Sequence, residues 1–487
     1  MKKIIFFIFF TSLTIISCKN QFNIEENTGL DKTSIQRKLE LAEYAAVGNY
    51  ILTQDEVTEN LKSFLSKKEF TNCRATNKTN KYTVSIIDTE TISLGNDDLS
   101  NNRSASLDEY NDVNFYLYEI KNNETSEASY AVLSDDRRIG EIITISDNSE
   151  FTEDISDSPF MQLFCTKLET YLIETGEIWN SLTDEDIQNA RSAYSNIATS
   201  GNYIYSDWKY NSGNISNLLT TKWKQTTPYN SGIEAVKGKK YITGCGATAV
   251  AQVMAFHEYP KSCSSKIMSQ LKNNWIPASS WNGNYNWSLM KRNPRAEYLS
   301  SEGKMMVGAF MYQVAEGVKS NYGTSATSTY NSNYPLFLKS VGYNTDSVTA
   351  YSYEKIKSSI NNGCPLVITG SCIKNTKKHK FLWWSWETVT SYEGGHAWVV
   401  DGYCNMKCTA TNKSNKSDVQ TFVTNYVHCN LGWSGSSNGY YIDKVFSVNK
   451  NCLVNDWEFN NINRSSYGED YYYQYKLEII PNIKPNR

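Results

Sequence analysis

The sequence predicts an α+β protein built in two units, and three observations predict it. Residues 35–198 pass from helical to strand patterning and back; a stretch rich in Gly, Ser and Asn follows; beyond it lie all four histidines and a cysteine between two glycines at the head of an apolar helix. At 487 residues the chain exceeds the usual size of one domain, about 150 residues.

The elements follow in chain order. Lys2 and Lys3 precede an almost wholly apolar run, Ile4 to Ile16, which is shorter than a membrane span needs. The run ends in Ile15-Ile16-Ser17-Cys18, the order of a bacterial lipobox. Residues 1–17 are therefore expected to be a lipoprotein signal peptide cleaved before Cys18, the lipidation site, with an ordinary cleaved signal as the alternative. The protein is expected to be exported, and either lipid-anchored to the envelope or released. Residues 18–34 are polar and read as a tether. Apolar residues at helical spacing place helices over 35–45 and 56–65. Strand patterns follow at Tyr82–Ile87, Val113–Tyr118, Ser129–Leu133 and Gly140–Ile145, and residues 158–198 return to helix. This first unit, residues 35–200, contains no histidine. Residues 201–214 read as an exposed linker, where proteolysis is easiest. The second unit runs from 215 to 487.

Composition excludes some functions. A net charge of −3 leaves no basic footprint for nucleic acid. There are eleven cysteines; removing Cys18 and Cys245 leaves an odd number, so at least one thiol stays free.

The chemistry centres on Thr243-Gly244-Cys245-Gly246-Ala247. A helical stripe follows, Ala249, Val250, Val253, Met254 and His257, and Pro260 ends it. Cys245 thus stands at a helix N-terminus, where free amides and the helix dipole favour a thiolate. The flanking glycines, Gly244 among them, let other backbone approach closely. A buried structural cysteine is the plainer reading. A thiolate needs a base. His257 lies about 18 Å along the same helix and cannot reach Cys245. His379 sits among Lys374, Lys377, Lys378 and Lys380 and reads as a solvated loop residue. His428 lies in a strand and can face either side. His396 opens a strand after Gly394-Gly395, glycines that leave room for substrate backbone, and is the best candidate base. Downstream, Asn430 could accept the imidazole N–H, as in Cys-His-Asn peptidases. Upstream, the Gln225 amide and the Cys245 N–H could form an oxyanion hole. Trp433 is a further candidate for substrate contact.

These segments resemble the streptopain family of secreted bacterial cysteine peptidases, which have a papain-like fold. The resemblance runs in family order through Trp223–Asn230, Gly244–Pro260, Tyr285–Met290, Asn321–Ser328, Cys364–Gly370, Gly394–Gly402 and Asn430–Tyr441. Residues Tyr130–Arg137 resemble the family's propeptide. The resemblance implies a helical subdomain carrying Cys245 as nucleophile and Gln225 as oxyanion donor, then an antiparallel β subdomain carrying His396 as base and Asn430 as its orienter. It further implies a zymogen: an α+β propeptide domain over 35–200 that inhibits its own chain, maturation near 201–214, and endopeptidase action on proteins or peptides, with an apolar side chain preferred two residues before the cut. No cofactor is implied. The chain departs from the family in two places. Leu431 stands where a Trp usually shields the His–Asn contact, and a polar insertion occupies Cys404–Gln420.

Two other functions compete with this reading, a cell-wall amidase and a binding lipoprotein without catalysis. The propeptide resemblance argues against the first, and the intact Gln-Cys-His-Asn set against the second. Cys404, Cys408, His428 and Cys429 lack the spacing of a zinc site; a disulfide between strand ends is the expectation there. No metal site is expected.

Overall fold

The computed structural model describes residues 32–68, 81–93, 112–147, 151, 158–192, 202–210, 217–374, 377–388, 391–447 and 477–486. Residues 1–31, with the signal reading, Cys18 and most of the tether, lie outside them.

Helices α1 (Lys32–Val47) and α2 (Gln54–Lys68) open the first unit. Their periodic apolar residues, Leu41, Tyr44 and Ala45 on one and Val57, Leu61 and Phe64 on the other, are buried. A capping box starts α2: the Thr53 N–H donates to Glu56 Oε2 at 2.7 Å and the Glu56 N–H to Thr53 Oγ1 at 3.3 Å. An antiparallel meander follows, β1 (Tyr82–Ser93), β2 (Asp112–Asn122), β3 (Ala128–Ser134) and β4 (Ile142–Ser146). Next come α3 (Pro159–Asn180) and α4 (Asp184–Ser192). The expected single helical region is two helices, because Thr183 and Asp186 cap a new start.

The stretch expected to be an exposed linker is partly inside the sheet. Both β5 (Tyr203–Tyr205) and β6 (Lys209–Tyr210) pair with later chain, and Tyr203 and Trp208 are buried. Its aromatic side chains outweigh its Gly and Asn content.

A helical subdomain follows: α5 (Ser231–Lys237), α6 (Cys245–Phe256), α7 (Ser265–Asn274), α8 (Trp287–Met290), α9 (Ser301–Gly317) and α10 (Asn333–Ser340). Its core forms around α6 and α9, which are buried without a break from Gly246 to Ala255 and from Met305 to Ala315.

The β subdomain comprises β7 (Tyr343–Asn344), β8 (Thr349–Ala350), α11 (Tyr353–Asn361), β9 (Leu366–Lys374), β10 (Lys377–Phe381), β11 (Trp384–Thr388), β12 (Ser391–Asn412), β13 (Val419–Asn430), β14 (Gly439–Ile442), α12 (Asp443–Phe446), β15 (Leu477–Ile480) and β16 (Lys484–Pro485). His379 lies on β10, in a hairpin with β11 rather than in a loop. The main sheet crosses from one unit to the other in the order β1-β2-β3-β4-β14-β13-β12-β9-β15-β8, with β5 and β6 added along β12. Strand β12 separates two cores by its alternation. Trp398 and Val400 enter the core shared with α1–α4, while Ala397 and Val399 enter the core of the helical subdomain.

The Cys404–Gln420 insertion extends the β12–β13 hairpin. Cys404, Met406, Cys408 and Ala410 form its buried face, and Phe422 stacks on Tyr44 of α1 at 4.3 Å. The expected disulfide is not formed: Cys404, Cys408 and Cys429 face Tyr426, Phe422 and Val400 across the register, and all three are free thiols.

Candidate active site

Cys245 is the first residue of α6. Gly244 caps the helix with φ 89°, a conformation that side chains disfavour, and a Cβ there would lie 3.0 Å from the Thr327 carbonyl oxygen. At Gly246 a Cβ would collide with the Tyr334 ring. The two glycines therefore admit a loop and an aromatic ring beside the thiol. The Cys245 thiol is half-buried and points to the Gly395 carbonyl oxygen at 3.9 Å. Burial pushes its pKa up, and the amides of Ala397, Gly246 and Cys245 itself pull the other way without cancelling it. In this state the helix start alone does not yield a thiolate.

His396 lies on β12 opposite Gly370 of β9. Its Nε2 is 3.0 Å from the Leu431 carbonyl oxygen. A carbonyl only accepts, so Nε2 carries the proton and Nδ1 keeps the lone pair. Burial lowers the imidazole pKa to about 4, against the smaller upward pull of Leu431. The ring stacks on Trp433 at 4.5 Å and, behind it, on Trp398 at 5.9 Å. The thiol and the imidazole share no hydrogen bond; each is turned to a main-chain carbonyl. The imidazole lies with Trp398 on the side of β12 that α3 covers, where Phe160 meets Trp398 edge-on at 5.0 Å.

The other expected site residues divide. Gln225 is brought close, since its carbonyl accepts the Thr243 N–H at 3.0 Å, two residues before Cys245. Its side-chain amide has no partner among the described residues. Gly395 is exposed and its backbone touches the thiol, while Gly394 pairs with Cys372 at the end of β9. The Asn430 side chain does not meet His396. Its Oδ1 accepts from Gln252 Nε2 at 3.1 Å and from the Gly432 N–H at 3.3 Å, and its Nδ2 donates to the Thr221 carbonyl at 2.8 Å. Those bonds use both ends of the amide and fix the turn that aims the Leu431 carbonyl at the ring. Trp433 supplies the aromatic cover that Leu431 lacks, by stacking on His396.

The roles of the Leu431 carbonyl and of Gln252 carry no signal in the sequence. A main-chain carbonyl has no residue-type signature, and Gln252 lies seven residues along an otherwise apolar helix. The charge state of His428 has no local signal either. Its Nδ1 lies 2.5 Å from Asp401 and its Nε2 2.8 Å from Asp147. His257 caps the end of α6 and bonds to the Ile483 carbonyl at 2.8 Å, as a core residue.

Residues 223–441, which contain Cys245, His396 and Trp433, match the Peptidase C10 family. Streptopain from Streptococcus pyogenes is 24% identical over 367 residues, covering 70% of this chain and 76% of the relative. Among solved structures, prointerpain A of Prevotella intermedia aligns with 82% of this chain and 100% of its own at 18% identity and a TM-score of 0.44. Active interpain A from the same organism aligns with 56% of this chain and 96% of its own at 21% identity and a TM-score of 0.33. Residues 223–441 thus carry a Peptidase C10 domain, and the chain is a cysteine peptidase similar to streptopain.

Proposed function

We propose that this chain is an exported endopeptidase made as a zymogen, with Cys245 as nucleophile and Nδ1 of His396 as its base. One observation carries the assignment: Cys245 heads the buried helix α6 beside β12, and the Leu431 carbonyl holds the His396 proton on Nε2, leaving Nδ1 to act. Nδ1 takes the thiol proton, and the thiolate attacks the peptide carbonyl carbon. The Cys245 N–H and the Gln225 amide stabilise the resulting oxyanion. The imidazolium then protonates the leaving amine, giving a thioester. Water, deprotonated by the same imidazole, releases the acid and restores the thiol.

Residues 35–200 act as the pro region. Support comes from α3, whose Phe160 braces the Trp398 ring behind His396, and from a resting site in which thiol and imidazole do not bond. Activation turns the imidazole toward Cys245. Because 203–205 and 209–210 are paired into the sheet, the maturation cut falls on either side of residues 203–210. Residues 1–17 are the signal and Cys18 the lipid anchor, with release from the envelope as the other outcome of export.

The test is Cys245→Ala in the full chain, incubated with casein beside the parent, with the new N-termini sequenced. The variant should stay long and folded and cleave nothing. Normal casein cleavage by it refutes the assignment.

A further inference from the structure

Among the described residues, the sheet crosses between the two units along a single strand pair. In it Gly439 faces Ser146, Tyr440 faces Ile145 and Tyr441 faces Thr144. The Asp147 N–H extends the ladder to the Asn438 carbonyl at 2.8 Å, and Thr144 Oγ1 donates to the Tyr440 carbonyl at 3.1 Å. A Cβ on Gly439 would stand 2.1 Å from the Ile145 carbonyl oxygen, so a glycine is needed for β4 to come this close.

One residue past the last pair, the Asp147 carboxylate meets Nε2 of the buried His428 at 2.8 Å. Nδ1 of the same ring faces Asp401. Asp401 is itself fixed: its Oδ2 accepts the Leu219 N–H at 2.9 Å and its carbonyl the Leu218 N–H at 2.7 Å. With a carboxylate on each nitrogen, both nitrogens carry protons. Burial alone would lower the ring's pKa, but Asp401 and then Asp147 raise it to about 10. Asp401 and His428 both belong to the catalytic half. Only Asp147 comes from the other side.

We propose that Asp401–His428 is a carboxylate-binding site of the catalytic half, shaped for an extended acidic segment added along β14, and that β4 with Asp147 is the segment that fills it. Main-chain pairing gives such a segment its grip, and the histidinium selects the acid at its end. The contact keeps the pro region bound after the chain between the halves is cut. The proposal rests on reading residues 35–200 as a pro region.

The test uses full-length Cys245→Ala with a recognition sequence for a narrow-specificity protease inserted between Ser200 and Gly201. After cutting, the halves should co-elute on a sizing column. Separation of the halves at once overturns the proposal. The dissociation rate is then measured in urea at a concentration where the parent complex comes apart within hours. Adding Asp147→Asn should speed dissociation about tenfold or more, since loss of one partner of a buried charge pair acts on the off-rate. Asp147→Glu, which keeps the charge, should stay closer to the parent than Asn does. An Asn effect below tenfold, or equal effects of Asn and Glu, overturns carboxylate recognition. A failure of the pro-region reading shows elsewhere: cutting the same chain with Cys245 intact would then release no peptidase activity, whatever residue stands at 147.

Discussion

His396 and His428 lie on neighbouring strands of one sheet and are 3% and 1% exposed, yet their chemistry is opposite. His396 has one carbonyl and two indole rings around it, and burial holds it neutral with a pKa of about 4. His428 has a carboxylate on each nitrogen and stays charged to about pH 10. Burial sets the same penalty on both; the partners decide the outcome. The neutral ring keeps a lone pair and can act as a base. The charged ring has no lone pair left and can only hold something.

The largest expected effect separates the two at once. His396→Ala should lower kcat/KM of the matured enzyme on a peptide substrate by about a hundredfold to ten-thousandfold. A matured variant that keeps parental turnover would remove the base from His396. Next, His428→Gln in the Cys245→Ala chain should cost about 3–5 kcal/mol of unfolding free energy, read from urea midpoints, because it leaves the buried Asp401 and the part-buried Asp147 carboxylates without their cation. A loss within experimental scatter would mean that the ion pair does not form in solution.

The third effect is a pH dependence in which the two residues have opposite signs. His396 has a folded pKa of about 4, below its ordinary value near 6.5. The unfolded chain therefore binds the extra proton, and stability falls as pH drops from about 6.5 toward 4. His428 has a folded pKa of about 10. Its contribution is complete below about pH 6.5 and is lost as pH rises toward 10. Each limb changes by at most about 1.4 kcal/mol per pH unit. His396→Gln should flatten the acid limb and His428→Gln the alkaline limb; the comparison breaks if both variants alter the same limb. The smallest effect belongs to Trp433→Leu. Ring stacking of this kind is worth about 0.5–1.5 kcal/mol, so kcat should fall by about tenfold at most with KM unchanged. A change in KM alone would return Trp433 to substrate contact.

Much of this arrangement is legible in the sequence where the signal is local. The Gly-Cys-Gly turn before an apolar helix gave the position of Cys245, and alternating residues placed β1–β4, although β1 and β2 run six and four residues past their expected ends. The glycine pair before His396 marked the strand that carries it. Local signals failed where residue type is neutral. Cys404, Met406, Cys408 and Ala410 alternate as a buried strand face should, but they are small or mixed in character and sit among Asn, Lys and Thr, so the segment read as a polar insertion. Tyr203 and Trp208 were masked in the same way by the Gly and Asn around them. Asn430 was read by side-chain chemistry as the partner of the imidazole, while the group that meets the ring is the carbonyl of its neighbour. The state of His428 depends on Asp147, 281 positions away, and no local pattern could hold that information.

The strand pair β4–β14 also sets an order in time. Thr144 and Tyr440, which bond across it, are 296 positions apart. Synthesis runs from the N-terminus at about 5–20 residues per second, so β4 waits tens of seconds for its partner. Leu431 and Trp433, the residues that hold and cover His396, emerge only just before β14 does. A complete site therefore cannot exist on the growing chain until β4 has long been made. Under the proposed pro-region role of β4, the order of residues along the chain restrains the peptidase before any separate inhibitor has to find it.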